Sequence, residues 1–220
     1  MARLARFTDR RQAGRLLAEA LQTYRQSPRT WVLALPRGGV PVGAEIASAL
    51  DLPLDVWLVR KLGVPGHEEL AMGAIAPGDV RWLDHRLMVD LQITAGALER
   101  VTARERAELQ RRLSVYRGDR PLPPLAGSTV ILVDDGVATG ASLRAAITAL
   151  RQQQPARIVV AVPVIDPGVA RRLRPMVDQL VALIEPQPLE AVGLWYVNFD
   201  QTEDAEVQAC LAAARRQAWP

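Results

Sequence analysis

Two periods organise the apolar residues of this chain. Largely apolar runs over 31–35, 54–59, 130–133, 157–162 and 180–184, broken only by Asp55 and opened by Arg157, have the length of strands. Between them, apolar positions recur at helical spacing. Over 9–24 the residues Ala13, Leu16, Leu17, Ala20, Leu21 and Tyr24 share one helix face, and Asp9 with Gln12 resembles a capping box. Further helices are expected over 41–50, where Pro41 is acceptable in the first turn, and over 141–153, 167–177 and 203–217. Residues 84–116 carry an imperfect stripe (Leu87, Leu91, Ala95, Leu98, Leu109, Leu113) and read as one long helix or two, the interleaved arginines and glutamates forming a solvated face. Glycines and prolines in 62–79 place a loop there, and 74–76 can pair with 80–83 around Pro77, Gly78 and Asp79. Residues 118–128 read as a linker. Strands that are apolar at consecutive positions belong to a sheet covered on both faces. Their alternation with helices predicts an α/β fold, a doubly wound and mainly parallel sheet flanked by helices.

Ligands of such sheets sit beyond the carboxyl ends of the strands. Three chemically suggestive segments lie there: Pro36 to Gly39, Arg60 with Lys61, and Asp134 to Ser142. In the third, Asp134 and Asp135 stand at a strand end, and a loop with two glycines runs into a helix. Loop amides and a helix N-terminus receive a phosphate, with Thr139 and Ser142 as hydroxyl donors. The two acids can accept hydrogen bonds from ribose hydroxyls or hold hydrated Mg²⁺. A sugar phosphate satisfies both halves at once. In the first segment Gly38 and Gly39 permit close backbone approach, and Arg37 can pair with phosphate oxygens.

Composition narrows this only slightly. With 220 residues, 49% of them hydrophobic, the chain can build a proper core. A formal charge of +3 suits an anionic small molecule as well as nucleic acid. The single Cys210 excludes an intrachain disulfide and reads as a core residue. His67 and His85 are too far apart for a recognisable metal motif. The arginine-dotted start does not read as a signal peptide, and no apolar run reaches bilayer length, so a soluble cytoplasmic protein without membrane association is expected.

Residues 131–142, with Val130 before them, resemble the phosphoribosyl pyrophosphate signature of the type I phosphoribosyltransferases: four apolar residues, two acids, a short spacer, Thr139-Gly140, then a hydroxyl residue, Ser142. Gly136 departs from it, standing where an aliphatic residue usually follows the acids. The resemblance implies ribose hydroxyls on Asp134 and Asp135, Mg²⁺ held by the same acids through water and ligand, and the 5′-phosphate bound by Gly136, Val137, Ala138, Thr139, Gly140, Ala141 and Ser142. It makes Pro36, Arg37, Gly38 and Gly39 the pyrophosphate loop, containing a non-proline cis peptide. It makes Arg60 and Lys61 the opening of a flexible loop, 62–72, that closes over the site, with His67 either a pyrophosphate contact or a solvent-facing bystander. A small hood falls at 185–200, where Trp195 or Tyr196 stacks on the base unless both are core or interface anchors. Ala138 replaces a third acid that members using 6-oxopurines often carry, which leaves an adenine-like, pyrimidine-like or unusual acceptor open. The insert at 84–116 covers the sheet edge, closes the site or forms a homodimer contact.

The implied whole is one phosphoribosyltransferase-like domain over 1–220. Its implied activity uses phosphoribosyl pyrophosphate and Mg²⁺ to transfer ribose 5-phosphate to a nitrogenous base or related acceptor, with Arg37, Arg60, Lys61, Asp134 and Asp135 as the catalytic set. The alternative is a non-catalytic sugar-phosphate-binding regulatory or RNA-binding domain. Arg104, Arg106, Arg111 and Arg112 are scattered and read as helix solubilisers, which does not favour nucleic acid. A dinucleotide site fits less well, because Gly38-Gly39 lacks the wider glycine spacing.

Overall fold

A computed structural model describes residues 6–217, so both tips of the expected 1–220 domain lie outside the described residues. In chain order the elements are α1 (Arg10–Ala20), β1 (Thr30–Ala34), α2 (Gly39–Leu50), β2 (Leu54–Val56), β3 (Arg60–Val64), β4 (His67–Ala76), β5 (Val80–Leu83), α3 (His85–Asp90), α4 (Ala95–Arg117), β6 (Thr129–Val133), α5 (Ala141–Arg151), β7 (Arg157–Val164), α6 (Pro167–Leu173), β8 (Gln179–Ile184) and α7 (Asp204–Gln217). Five strands form a parallel sheet in the order β2-β1-β6-β7-β8. The chain winds from β1 outward to β2, then returns to place β6 on the other side of β1. The strand order therefore reverses between β1 and β6, and that switch point is where an open α/β sheet leaves a crevice.

The apolar runs have a direct cause. Val32, Ala34, Ile131, Val133, Val159 and Ala161 are buried in one core with Leu17, Ile46 and Leu211 from α1, α2 and α7. Their neighbours Leu33, Val130, Leu132, Ile158, Val160 and Val162 are buried in a second core with Leu143, Ile147 and Val169 from α5 and α6. Successive strand residues point to opposite faces, and both faces are covered, so the central strand positions are apolar on both sides.

Several boundaries differ from the sequence reading for local reasons. Residues 57–59 are not paired strand, yet Trp57 and Leu58 are buried in opposite cores, so burial alone keeps them apolar. The stretch 84–116 is two helices: Gln92 turns left-handed at φ 50°, and Thr94 caps α4 by accepting from the Ala97 amide. The helix expected to reach 177 stops at Leu173, and Pro175 lies in the short 3-10 turn that follows. Asp9 caps α1 by accepting from the Gln12 amide, but the Gln12 side chain reaches back to Thr8 rather than to Asp9. The largest difference is at 62–72, expected as a loop. It is a hairpin, β3 with β4, turned by Pro65 and Gly66 and extended by β5 into a separate three-stranded antiparallel sheet. Gly66 takes φ 81°, as the third residue of a type II turn requires, and Pro65 supplies the fixed φ before it.

The insert is tied to the sheet edge by a buried ion pair. Arg117, at the end of α4, places Nη1 at 3.0 Å from Asp55 Oδ2 on β2, in ion-pair contact without hydrogen-bond geometry. Both side chains are almost fully buried. Asp55 Oδ1 accepts from the Val56 amide, and Arg117 also donates to the Pro121 carbonyl. Burial raises the Asp55 carboxyl despite the opposing charge of Arg117, and burial lowers the Arg117 guanidinium. Arg117→Ala, which strands Asp55, is expected to cost about 3–5 kcal/mol in urea unfolding. Arg117→Met combined with Asp55→Leu should cost much less; equal losses would mean the pair is not the source of the effect.

Candidate functional site

The register pairs Ala34 with Val133, so the loops after β1 and β6 start side by side. The Leu35 amide donates to the Val133 carbonyl at 2.8 Å and carries this contact one residue beyond the strands. The Pro36–Arg37 peptide is cis, as the resemblance implies. A β-carbon on Gly38 would lie 1.9 Å from Asp135 Oδ2, so any side chain there would take the acid's place. The expected pyrophosphate loop and the acid pair are therefore in contact.

The loop after β6 is pinned at its middle. The Val137 amide donates to the Val164 carbonyl and the Asp166 amide donates to the Val137 carbonyl, which ties the loop to the end of β7. Ala138, Thr139, Ala141 and Ser142 are left exposed, or nearly so, with Gly140 just before α5. Gly136 is also explained. A β-carbon there would meet Val192 Cγ1 at 2.3 Å and Val164 Cγ1 at 3.0 Å. The segment expected as the hood packs directly on the loop, which leaves no room for the usual aliphatic residue.

The two acids differ electrostatically. Burial, reinforced by the charge of Asp135, pushes the Asp134 carboxyl well above the ordinary aspartate range. Asp134 Oδ1 accepts from the Asp135 amide at 2.9 Å. Asp135 is paired with Arg10, whose Nε lies 2.8 Å from Oδ2. Arg10 also donates from Nη1 to the Asp200 carbonyl, and its guanidinium sits 3.9 Å over the Phe199 ring. The Tyr196 hydroxyl donates to the Asp135 carbonyl at 2.6 Å. Asp135 is thus held from both ends of the chain, and it is not the free, ligand-facing acid the sequence suggests. Sequence reasoning misses Arg10 as a site residue, since it pairs across 125 positions with no local motif.

Of the two roles open to Tyr196, the structure gives the anchor and overturns the base contact. The residue is buried, its ring is stacked on Phe199 and tilted against Phe7, and burial pushes its hydroxyl far up. Its ring is not available to stack on a base, and it acts as an anchor for the acid loop. Trp195 packs against the same cluster.

A cleft of about 420 Å³ opens at the carboxyl end of the sheet and brings together Pro36, Arg60, Lys61, Asp134 and Ser142. Its other wall carries Glu68 from the hairpin and Arg104, Glu105 and Arg112 from α4. The insert therefore forms one wall of the cleft, and Arg104 and Arg112 face it as well as solvent. Arg37 does not line the cleft; it lies 3.7 Å from Asp204 of α7. His67 is exposed where β4 begins and also stands outside the lining. Among the described residues no group of three His, Cys, Asp or Glu is placed to hold a metal ion. The donors present fit Mg²⁺ only in the way that ion is commonly bound, by one or two carboxylates with the remaining places filled by water and ligand phosphate. Among the described residues no helix is long and apolar enough to cross a membrane.

The phosphoribosyl transferase domain family matches residues 7–181. Two Mycobacterium tuberculosis proteins, from strains CDC 1551 / Oshkosh and H37Rv and named as proposed phosphoribosyl transferases, are 43% identical over 210 residues, 96% of this chain. The chain spans about half the length of these relatives, 47%. The crystal structure of TT1426 from Thermus thermophilus superposes with a TM-score of 0.84 at 45% identity, covering 94% of this chain and 98% of that one.

The raised Asp134 carboxyl has a consequence for stability. The folded chain holds this proton above the ordinary value of 3.8, whereas the unfolded chain has released it. Stability therefore falls as pH rises through the raised value, and the penalty is absent below 3.8. Asp134→Asn keeps the shape and the acceptor while removing the charge. It is expected to melt higher than the parent at pH 8, with the gap closing as pH falls toward 4. Relief of ~1 kcal/mol corresponds to about 2–4 °C in a chain of this size. A melting difference that does not change with pH would show that Asp134 carries no such penalty.

Proposed function

We propose that this chain, which belongs to the phosphoribosyl transferase domain family, transfers ribose 5-phosphate from phosphoribosyl pyrophosphate to a nitrogenous base or related acceptor and releases pyrophosphate. The observation that carries the reading is the cleft at the sheet's switch point, shared by Pro36, Arg60, Lys61, Asp134 and Ser142. On this reading the 5′-phosphate sits on the loop at 138–142, where backbone amides, the α5 N-terminus, Thr139 and Ser142 favour an anion. The ribose hydroxyls face the acid pair. The pyrophosphate lies between the loop at 36–39 and the cations Arg60 and Lys61. The hood at 185–200 borders the acceptor, with Trp195 as the aromatic left for it.

The chemistry asks little covalent work of the protein. A nitrogen of the acceptor forms a bond to C1 of the ribose while the bond from C1 to the pyrophosphate oxygen breaks, its electrons leaving with pyrophosphate. Positive charge develops on the sugar, near the acids, and negative charge on the leaving group, near Arg60 and Lys61. Bound Mg²⁺ would neutralise part of the pyrophosphate charge, with Asp134 holding it through water. The β3–β4 hairpin and α4 exclude water from the sugar, which would otherwise be hydrolysed.

A pyrophosphate-release assay with phosphoribosyl pyrophosphate, Mg²⁺ and a panel of bases tests the reading. Base-dependent release supports it, and tight binding without release would support a sensing domain instead. Asp135→Asn, which loosens the Arg10 contact that holds the acid loop in place, is expected to weaken phosphoribosyl pyrophosphate by about ten- to hundred-fold, the effect of losing a charge-assisted hydrogen bond of about 1.5–3 kcal/mol. Thr139→Val should weaken ribose 5-phosphate as well, with little change in Mg²⁺ dependence. Calorimetric titration with and without Mg²⁺ separates the two. Parent-like binding by both variants would remove the site assignment.

A further inference from the structure

Glu105 lies on α4, in the insert, yet its side chain is only 9% exposed and lines the cleft. A carboxylate this buried is costly unless its oxygens are engaged. Both are. Oε2 accepts from Arg60 Nε at 2.9 Å and lies 2.6 Å from Arg60 Nη2, and Oε1 accepts from Arg104 Nε at 3.1 Å. One carboxylate thus clamps the Arg60 fork while Arg104 braces it from the other side.

We infer that Glu105 is a positioning residue that fixes Arg60 as a preformed contact for the pyrophosphate. The inference rests on the phosphoribosyl pyrophosphate reading and goes beyond it by giving the insert a part in binding. Arg60 is a long side chain at the start of a hairpin strand, and free in solution it would lose rotamer freedom on gripping an anion. With Nε and Nη2 committed to Glu105, its Nη1 is left for a ligand in the cleft, and the ordering has already happened in folding. A carboxylate at this place could also act as a rival of the pyrophosphate. The single-oxygen grip, which occupies one edge of the guanidinium, argues for support.

Calorimetric titration of inorganic pyrophosphate, phosphoribosyl pyrophosphate and ribose 5-phosphate, each with Mg²⁺, into the parent, Glu105→Gln, Arg60→Ala and the double variant tests this. Glu105→Gln keeps the shape and loses the charge. It is expected to bind both pyrophosphate ligands about tenfold more weakly, with ribose 5-phosphate changed by less than about twofold. The double variant should be no weaker than Arg60→Ala alone, because Glu105 acts through Arg60. Parent-like or tighter binding by Glu105→Gln overturns the inference, as do losses that multiply in the double variant or an equal loss for ribose 5-phosphate. Should Glu105→Gln not fold, Arg60→Lys keeps the charge without a fork to clamp. It is expected to lose the pyrophosphate ligands as Arg60→Ala does, and parent-like binding would overturn the inference. A parent chain that binds neither pyrophosphate ligand refutes the functional reading itself, a result distinct from any difference among variants.

Discussion

In the parallel register of β1 and β6, Ala34 stands opposite Val133, so two loops leave the sheet together at the point where its winding reverses. That pairing constrains every residue nearby. With the loops side by side, Gly38 must come so near Asp135 that no side chain is allowed, and the acid loop must be drawn toward β7, where Val137 bonds to Val164. Once Asp135 is set there, Arg10 can reach it from α1 and Tyr196 from the chain's last loop. A shift of one residue in the β1–β6 register would exchange the two core faces and separate the loops in a single step.

The second constraint is electrostatic. A ligand rich in phosphate needs cations in the cleft, but those cations and the nearby acids must be tolerated before it arrives. The protein manages this by pairing site charges with partners from other elements. Arg60 is held by Glu105 of α4, Arg37 faces Asp204 of α7, and Asp135 is held by Arg10 of α1. Asp134 is treated differently. Burial pushes its carboxyl upward, and the charge of Asp135 adds to that push more than Arg10 offsets it. The two neighbouring acids therefore stand in unlike surroundings, one gripped by a cation, the other poised to gain a counter-charge. On the proposed reading, a sugar with developing positive charge and a hydrated Mg²⁺ supply what Asp134 lacks.

The sequence shows the parallel sheet plainly, because burial on both faces leaves a signature of consecutive apolar residues that no other strand environment produces as cleanly. The acid pair and the phosphate loop are equally plain, since their parts are adjacent in the chain. Arg10, Glu105 and the anchoring role of Tyr196 are not, since each acquires meaning only from a partner far away in sequence. Glu105 has arginines on either side within α4, and nothing in that pattern separates a buried clamp from a solvated face. The hairpin at 60–76 is obscured for another reason. Its glycines signal a loop, but Gly63 and Gly73 serve close packing within the strands: a β-carbon on Gly63 would meet the Glu68 backbone at 2.7 Å, and one on Gly73 the Trp82 carbonyl at 2.4 Å. Only Gly66 does the turning.

These differences separate two kinds of information in the chain. Residues that meet a ligand through backbone amides and short side chains must be contiguous, because a phosphate spans only a few ångströms, and contiguity makes a readable motif. Residues that set the charge and orientation of that motif need only end near it, so they come from whichever elements pack there, here α1, α4 and the last loop. Of the three, α4 belongs to an insert that the five-stranded sheet does not require for its own pairing. Yet Arg117 anchors that insert to the edge strand through a buried charge, and Glu105 extends it to the cleft about three turns earlier along the same helix. One helix thus carries a fixed end at the sheet and a working end at the site, and the rigidity of the α-helix transmits the first to the second.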